Sequence, residues 1–220
     1  MRRLPKVLSQ EEQVAFVAQF NTRYASPFRN LITCRLMLEA GLRVGEVVSL
    51  KRDHIDMVTC KVQVREGKGA KDRVLWIRDD LRDLIGEWLG RRPESPWLFP
   101  TCDGGQVSTR YMREMVKRIA RRARVQEWEK ASPHSLRHTF ATNLLATTKN
   151  IRLVQKALGH ADLSTTMIYT HVHDGELEEA LRDDGHKSGR YCDVNGRPDQ
   201  VGVCIACLLL TSHTSQEART

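Results

Sequence analysis

The 220-residue sequence has no apolar run long enough to cross a bilayer. Its longest, Val201 to Leu210, covers ten residues, whereas a membrane-spanning helix needs roughly 20. It has no secretory signal segment. Of its six cysteines, at positions 34, 60, 102, 192, 204 and 207, the first three sit within otherwise regular segments and have no framework spacing. A reduced, cytoplasmic setting with no membrane partner is therefore expected. Internal repeats are absent, and so is the GxxxxGK[ST] pattern of a nucleotide-binding P-loop. The motifs that carry this chain's chemistry also lack the acidic metal ligands typical of nucleases.

The chain does have positive charge. Thirty-five Lys and Arg face 27 Asp and Glu, a net +8 at neutral pH. Residues 183–220 carry −1, so residues 1–182 carry +9. A polyanionic partner fits this excess, and so does mere solubility. The length suffices for one domain with a real core. The 40% apolar and 28% charged content suits a globular protein.

Local signals predict a mainly helical chain with a small antiparallel sheet, an α+β arrangement. Ser9-Gln-Glu-Glu12 is a capping box that opens a helix through about Asn21. Ser26-Pro27 opens a second helix, which Gly41 stops. Arg43 then lies in a tight corner leading into a short helix, with Glu46 three residues on and able to brace it. Two alternating runs, Cys60–Arg65 and Arg73–Ile77, flank Gly67-Lys-Gly-Ala-Lys71 and read as a hairpin with Lys68 at its tip. Asp79 or Asp80 starts a helix to about Gly90, and 93–105 reads as a loop. Ser132-Pro133 opens a helix to about Ala146. Asn150 caps a shorter one that Gly159 ends, and Ser164 caps a short helix bearing Tyr169. Residues 174–182 read as a final helix and 183–200 as a polar linker.

The most basic stretch follows Ser108. Between Ser108 and Arg124 there are seven Lys or Arg and one Glu. Arg110, Arg113, Lys117, Arg121 and Arg124 recur every three or four residues and form one helical stripe. Met112, Val116, Ile119 and Ala123 form an apolar stripe on another face. A helix with its back in a core and a cationic front suits DNA phosphates; an ordinary solvated face is the plainer explanation.

His134, Arg137 and His138 recur at i, i+3 and i+4, on roughly one side of their helix. The HxxxH spacing also belongs to zinc helices. Zinc proteases, however, place glutamate directly after the first histidine, where this chain has Ser135. Arg137 on the same face would also repel a dication. Any single histidine here can equally be a hydrogen-bonded core residue, and that is the better reading of His138, His171 and His173. The full set (Arg43, His134, Arg137, His160 and Tyr169) suits attack by a phenol oxygen on a phosphodiester. Two arginines can fork onto the non-bridging oxygens, where charge gathers in the transition state. A phenol with an ordinary pKa of about 10 needs a base or a cationic site to become a nucleophile. The departing sugar oxygen needs an acid. Such a site requires no metal and no cofactor.

AGLRVGE, GKGAK, HSLRH, LGH and IYTH occur in that order, with Tyr169 nine residues after His160. The set resembles the catalytic domain of the tyrosine recombinases, or phage integrases, from about Pro5 to Arg182. The resemblance implies a site-specific DNA recombinase whose catalytic domain fills residues 1–182. It implies that Arg43 and Arg137 bind the scissile phosphate and that Lys68 protonates the leaving 5′ oxygen. It further implies that His134 serves in acid–base transfer, that His160 contacts the phosphate, and that Tyr169 forms a 3′-phosphotyrosyl link. It implies double-stranded DNA as partner, self-association in a tetrameric synapse, and accessory DNA-bending proteins. Relatives carry an N-terminal core-binding domain that clamps the DNA; the expectation here is a chain without it, with weaker, more salt-sensitive binding. Residues 183–220 read as a linker and tail. Val201–Leu210 can dock on a neighbouring protomer, its two cysteines can join Cys192 and His213 around a metal, or the tail is non-native. A non-catalytic DNA-binding fragment and a zinc hydrolase built on His134 and His138 remain the readings from other classes.

Overall fold

The computed structural model describes residues 6–64 and 73–159. Seven α-helices and three short strands are formed among them: α1 (Gln10–Val17), α2 (Ala25–Glu39), α3 (Val44–Ser49), β1 (Ile55–Asp56), β2 (Lys61–Val64), β3 (Arg73–Trp76), α4 (Asp79–Arg91), α5 (Thr109–Arg122), α6 (Pro133–Thr148) and α7 (Ile151–Leu158). The expected mainly helical architecture with a small antiparallel sheet is thus present.

Local chemistry explains most helix starts. Ser9 and Glu12 form a reciprocal capping box on α1. Ser108 accepts from the Tyr111 backbone N–H, Ser132 from Ser135, and Asn150 from Arg152 and Leu153. Each satisfies donors that the first turn cannot pair internally. The expected end of α1 at Asn21 is corrected to Val17. Beyond it the Gln19 and Phe20 amides bond back only three residues, to Phe16 and Val17, and the Phe20 ring folds edge-on against Phe16 at 5.8 Å. Tertiary packing there overrides helical propagation. At the other extreme α6 runs two residues past the expected Ala146, until Lys149 takes a left-handed φ of 50°.

The sheet has the order β1-β2-β3, antiparallel throughout, with Val62 opposite Leu75 and Val64 opposite Arg73. The pleat sends Ile55, Val62, Val64 and Leu75 inward and leaves Val74 and Trp76 exposed. Arg73 also takes an inward position and is buried. The two-residue strand β1 was not anticipated.

α2 is the central helix. Phe28, Ile32, Leu36 and Met37 are essentially inaccessible, the helix packs against α4 and α6, and the Phe28 and Trp88 rings meet edge-on at 6.4 Å. The Trp88 indole N–H donates to the Leu98 carbonyl at 2.8 Å, anchoring the expected 93–105 loop to α4. At the end of α2, Gly41 adopts φ +65°. A Cβ there would also lie 2.3 Å from the Phe140 ring of α6. Only glycine meets both demands: the left-handed turn and the close approach of α6. That corner delivers Arg43 to the start of α3. No helix among the described residues is long and apolar enough to cross a membrane.

Candidate active site

The corner at Gly41 sets Arg43 as the N-cap of α3, and Glu46 falls one turn later. The Glu46 carboxylate accepts from the Arg43 backbone N–H at 2.6 Å and from its guanidinium at 2.8 Å. The bracing contact expected from the i,i+3 spacing is therefore formed. Arg43 remains about one-third exposed, whereas Glu46 is buried.

Arg137, from the first turns of α6, reaches the same carboxylate. Its Nη1 lies 3.9 Å from Glu46 Oε2. Its guanidinium also donates to the carbonyls of Gly41, at the end of α2, and Leu158, at the end of α7. Three separate segments thus fix one cation. The α7 carbonyl lacks an intrahelical partner and sits at the negative end of the helix dipole, so a buried arginine is well matched there.

A third arginine joins them. Arg73 of β3 forks onto Glu46, with Nη1 to Oε1 at 2.9 Å and Nη2 to Oε2 at 2.8 Å. Its Nε donates to the Ala157 carbonyl at 3.2 Å. Gly159, with φ +66°, closes over this guanidinium; a Cβ there would stand 3.0 Å from Arg73 Cδ. Burial alone would push the Glu46 carboxyl upward. The Arg73 fork, the Arg43 amide and the Arg137 charge outweigh it and hold the carboxyl below the ordinary glutamate value. Glu46 is therefore an anion shared by three arginines drawn from α3, β3 and α6.

Sequence reasoning missed Arg73. Its only signal was an arginine at an inward strand position, facing the same way as Val62, Val64 and Leu75.

His134 lies in the first turn of α6 and is exposed, while Arg137 is buried and His138 is half-buried. Among the described residues no three His, Cys, Asp or Glu side chains gather as a metal site. Lys68, His160 and Tyr169 lie outside the described residues.

The basic stripe on α5 is largely as expected. Met112, Met115, Val116, Ile119 and Ala120 are buried, and Arg110, Arg113, Lys117 and Arg121 are exposed. Arg110 pairs with Glu114 at 2.9 Å. Lys117 and Arg121 lie over the Trp128 ring at 5.8 and 5.2 Å. Two memberships are corrected. The helix ends at Arg122, so Ala123 is its half-buried C-cap, and Arg124 turns out of the stripe at φ 55°. The Val125 amide bonds back to the Ala120 carbonyl at 3.0 Å, closing the helix one turn early for that arginine.

A mainly helical domain with a three-stranded sheet holds three arginines around one glutamate carboxylate, and sequence comparison gives its class. The family model described as the phage integrase family matches residues 6–176, and the chain belongs to that family. Among its relatives, the tyrosine recombinase XerD of Ralstonia nicotianae is 39% identical over 178 residues, covering 77% of this chain and 57% of the relative. The tyrosine recombinase XerA of Thermococcus kodakarensis is 39% identical over 183 residues, covering 81% and 62%. The crystal structure of the XerH site-specific recombinase bound to a palindromic difH substrate, a post-cleavage complex, superposes with a TM-score of 0.72 at 31% identity, over 82% of this chain and 54% of that one. The chain thus spans about three-fifths of the length of the curated relatives it matches.

Proposed function

We propose that this chain is the catalytic part of a site-specific DNA recombinase that cuts and rejoins strands by transesterification. The observation that carries this reading is the convergence of Arg43 and Arg137, from motifs far apart in sequence, on the single carboxylate of Glu46. A scissile phosphodiester set beside them meets preorganised donors that need no rearrangement as charge builds on its oxygens. Glu46 braces the Arg43 guanidinium, and the Gly41 and Leu158 carbonyls hold that of Arg137.

In this reading Tyr169 attacks the phosphorus and forms a 3′-phosphotyrosyl bond as the bond to the 5′ oxygen breaks. Lys68 gives that oxygen its proton, His134 serves proton transfer at the tyrosine side, and His160 adds a donor to the phosphate. A free 5′ hydroxyl then attacks the phosphotyrosine, restoring the phosphodiester and the phenol. Energy is conserved in the covalent link, so no nucleotide cofactor is required. The exposed cations of α5 supply backbone attraction to double-stranded DNA. Support comes from the family membership, from the Xer relatives, and from the DNA-bound XerH neighbour. Assembly of four protomers at a synapse, help from DNA-bending proteins, and a cytoplasmic role on mobile DNA complete the proposal.

The test is covalent capture. Duplexes that bind the chain are selected from random sequence, nicked near the centre, and incubated with it in EDTA. The wild-type chain is expected to yield a protein–DNA adduct stable to denaturation, and Tyr169→Phe is expected to yield none while binding the same DNA. Binding without any wild-type adduct returns the chain to a non-catalytic DNA-binding role. An adduct that survives Tyr169→Phe assigns the nucleophile elsewhere.

A further inference from the structure

Arg73 belongs to none of the residues to which the family resemblance gives a role, yet its guanidinium donates to both Glu46 oxygens. We infer that Arg73 is a positioning residue that occupies both Glu46 oxygens and so keeps Arg43 and Arg137 directed at the scissile phosphate. The inference rests on the recombinase reading and adds to it a residue that never touches DNA.

Competition for a limited number of lone pairs is the reason. Arg73 takes one hydrogen bond on each Glu46 oxygen, at 2.9 and 2.8 Å. Arg43 adds its guanidinium on Oε1 at 2.8 Å and its backbone N–H on Oε2 at 2.6 Å, and Arg137 stands off from Oε2 at 3.9 Å, beyond hydrogen-bond length. A carboxylate is satisfied best by a planar fork, which only arginine presents. Without that fork, a buried anion would draw the nearest cations onto itself, because an uncompensated buried charge is costly. The nearest cations are Arg43 and Arg137, the two the phosphate needs.

Position strengthens the case. In sequence β3 follows the segment 65–72 that carries Lys68, and the Arg73 Nε is fixed to the Ala157 carbonyl at the end of α7, three residues before His160. Gly159 has no side chain where one would crowd the Arg73 stem. One side chain therefore ties together the strand after the hairpin, the Arg43 corner and the end of α7.

The experiment is a double-substitution cycle read as single-turnover adduct formation on the nicked duplex at saturating protein. It compares wild type, Arg73→Met, Glu46→Gln and the pair, below the melting temperature of every variant. Arg73→Met is expected to slow cleavage on the order of tenfold, less than the roughly hundredfold loss of a direct oxyanion donor, with DNA affinity unchanged. Adding Glu46→Gln to Arg73→Met is expected to restore several-fold of that rate, because a neutral amide no longer captures the two arginines. A purely structural role would instead make the two losses accumulate. Arg73→Lys, which keeps the charge but not the fork, should fold and still cleave more slowly than wild type, and it carries the test if the methionine variant does not fold. Wild-type rates in Arg73→Met or Arg73→Lys, or additive losses in the double variant, would overturn the inference while leaving the recombinase reading intact. Absence of a wild-type adduct would instead remove that reading and this inference with it.

Discussion

The two cationic regions of this chain handle charge in opposite ways. Around Glu46, arginines from β3, α3 and α6 are held by fixed hydrogen bonds to one carboxylate and to carbonyls at helix ends. On α5, Arg113, Lys117 and Arg121 stand in solvent, two of them backed only by the face of Trp128. Burial makes the first set expensive and geometrically defined, because each cation must be compensated where it sits. Exposure makes the second set inexpensive, mobile and long-ranged. The first suits charge developing at one phosphorus atom, and the second suits a polyanion whose sequence it does not read.

That contrast can be broken from either side. The largest effect is expected on α5. Replacing Arg113, Lys117 and Arg121 together by Gln should lower the salt slope of DNA binding by about 2 to 3 and weaken binding on the order of a hundredfold at low salt. Thermal stability should move by no more than about 0.5 kcal/mol, as for other surface changes. Binding measured against salt concentration, beside a melting curve, checks both halves. An unchanged slope would place the DNA contact elsewhere.

A comparable effect, on stability, is expected at the buried hub. Glu46→Gln should cost about 3 kcal/mol near neutral pH, the usual scale for breaking a buried ion pair. The gap should depend on pH in a definite direction. The folded Glu46 carboxyl is held below its ordinary 4.5, so its stabilisation is complete above that value and is lost as pH falls through the lower folded value. Denaturant melts of wild type and Glu46→Gln should therefore converge as pH falls below 4.5. Melts that stayed parallel down to strongly acidic pH would mean that the carboxylate contributes little.

Much of the scaffold was legible because capping is local. Ser9, Ser108, Ser132 and Asn150 each sit within three residues of the amides they serve. The Arg43–Glu46 contact was legible for the same reason, as one helical turn. The end of α1 was not, because it is set by Phe20 returning to Phe16. Nor was the departure of Arg124 from its stripe, which follows from a left-handed turn at a non-glycine residue. The family resemblance brings Arg137 to the same phosphate as Arg43, but its approach to Glu46 was not legible, since nothing in the spacing joins α6 to α3. Arg73 escaped altogether: its alternation places it inward, but its partners lie on α3 and α7, which no strand pattern can name.

The account depends most on Arg43 and Arg137 answering the negative charge of one phosphate. The direct measurement compares adduct formation on two nicked duplexes that differ at one linkage, a normal scissile phosphate or an uncharged methylphosphonate. On the phosphate, Arg43→Ala is expected to cleave about 10²- to 10³-fold more slowly than wild type. On the methylphosphonate, which has one fewer charge to stabilise, that gap should shrink to about tenfold or less. An equal gap on both substrates would contradict the account, because the arginine would then be acting on something other than the phosphate's charge.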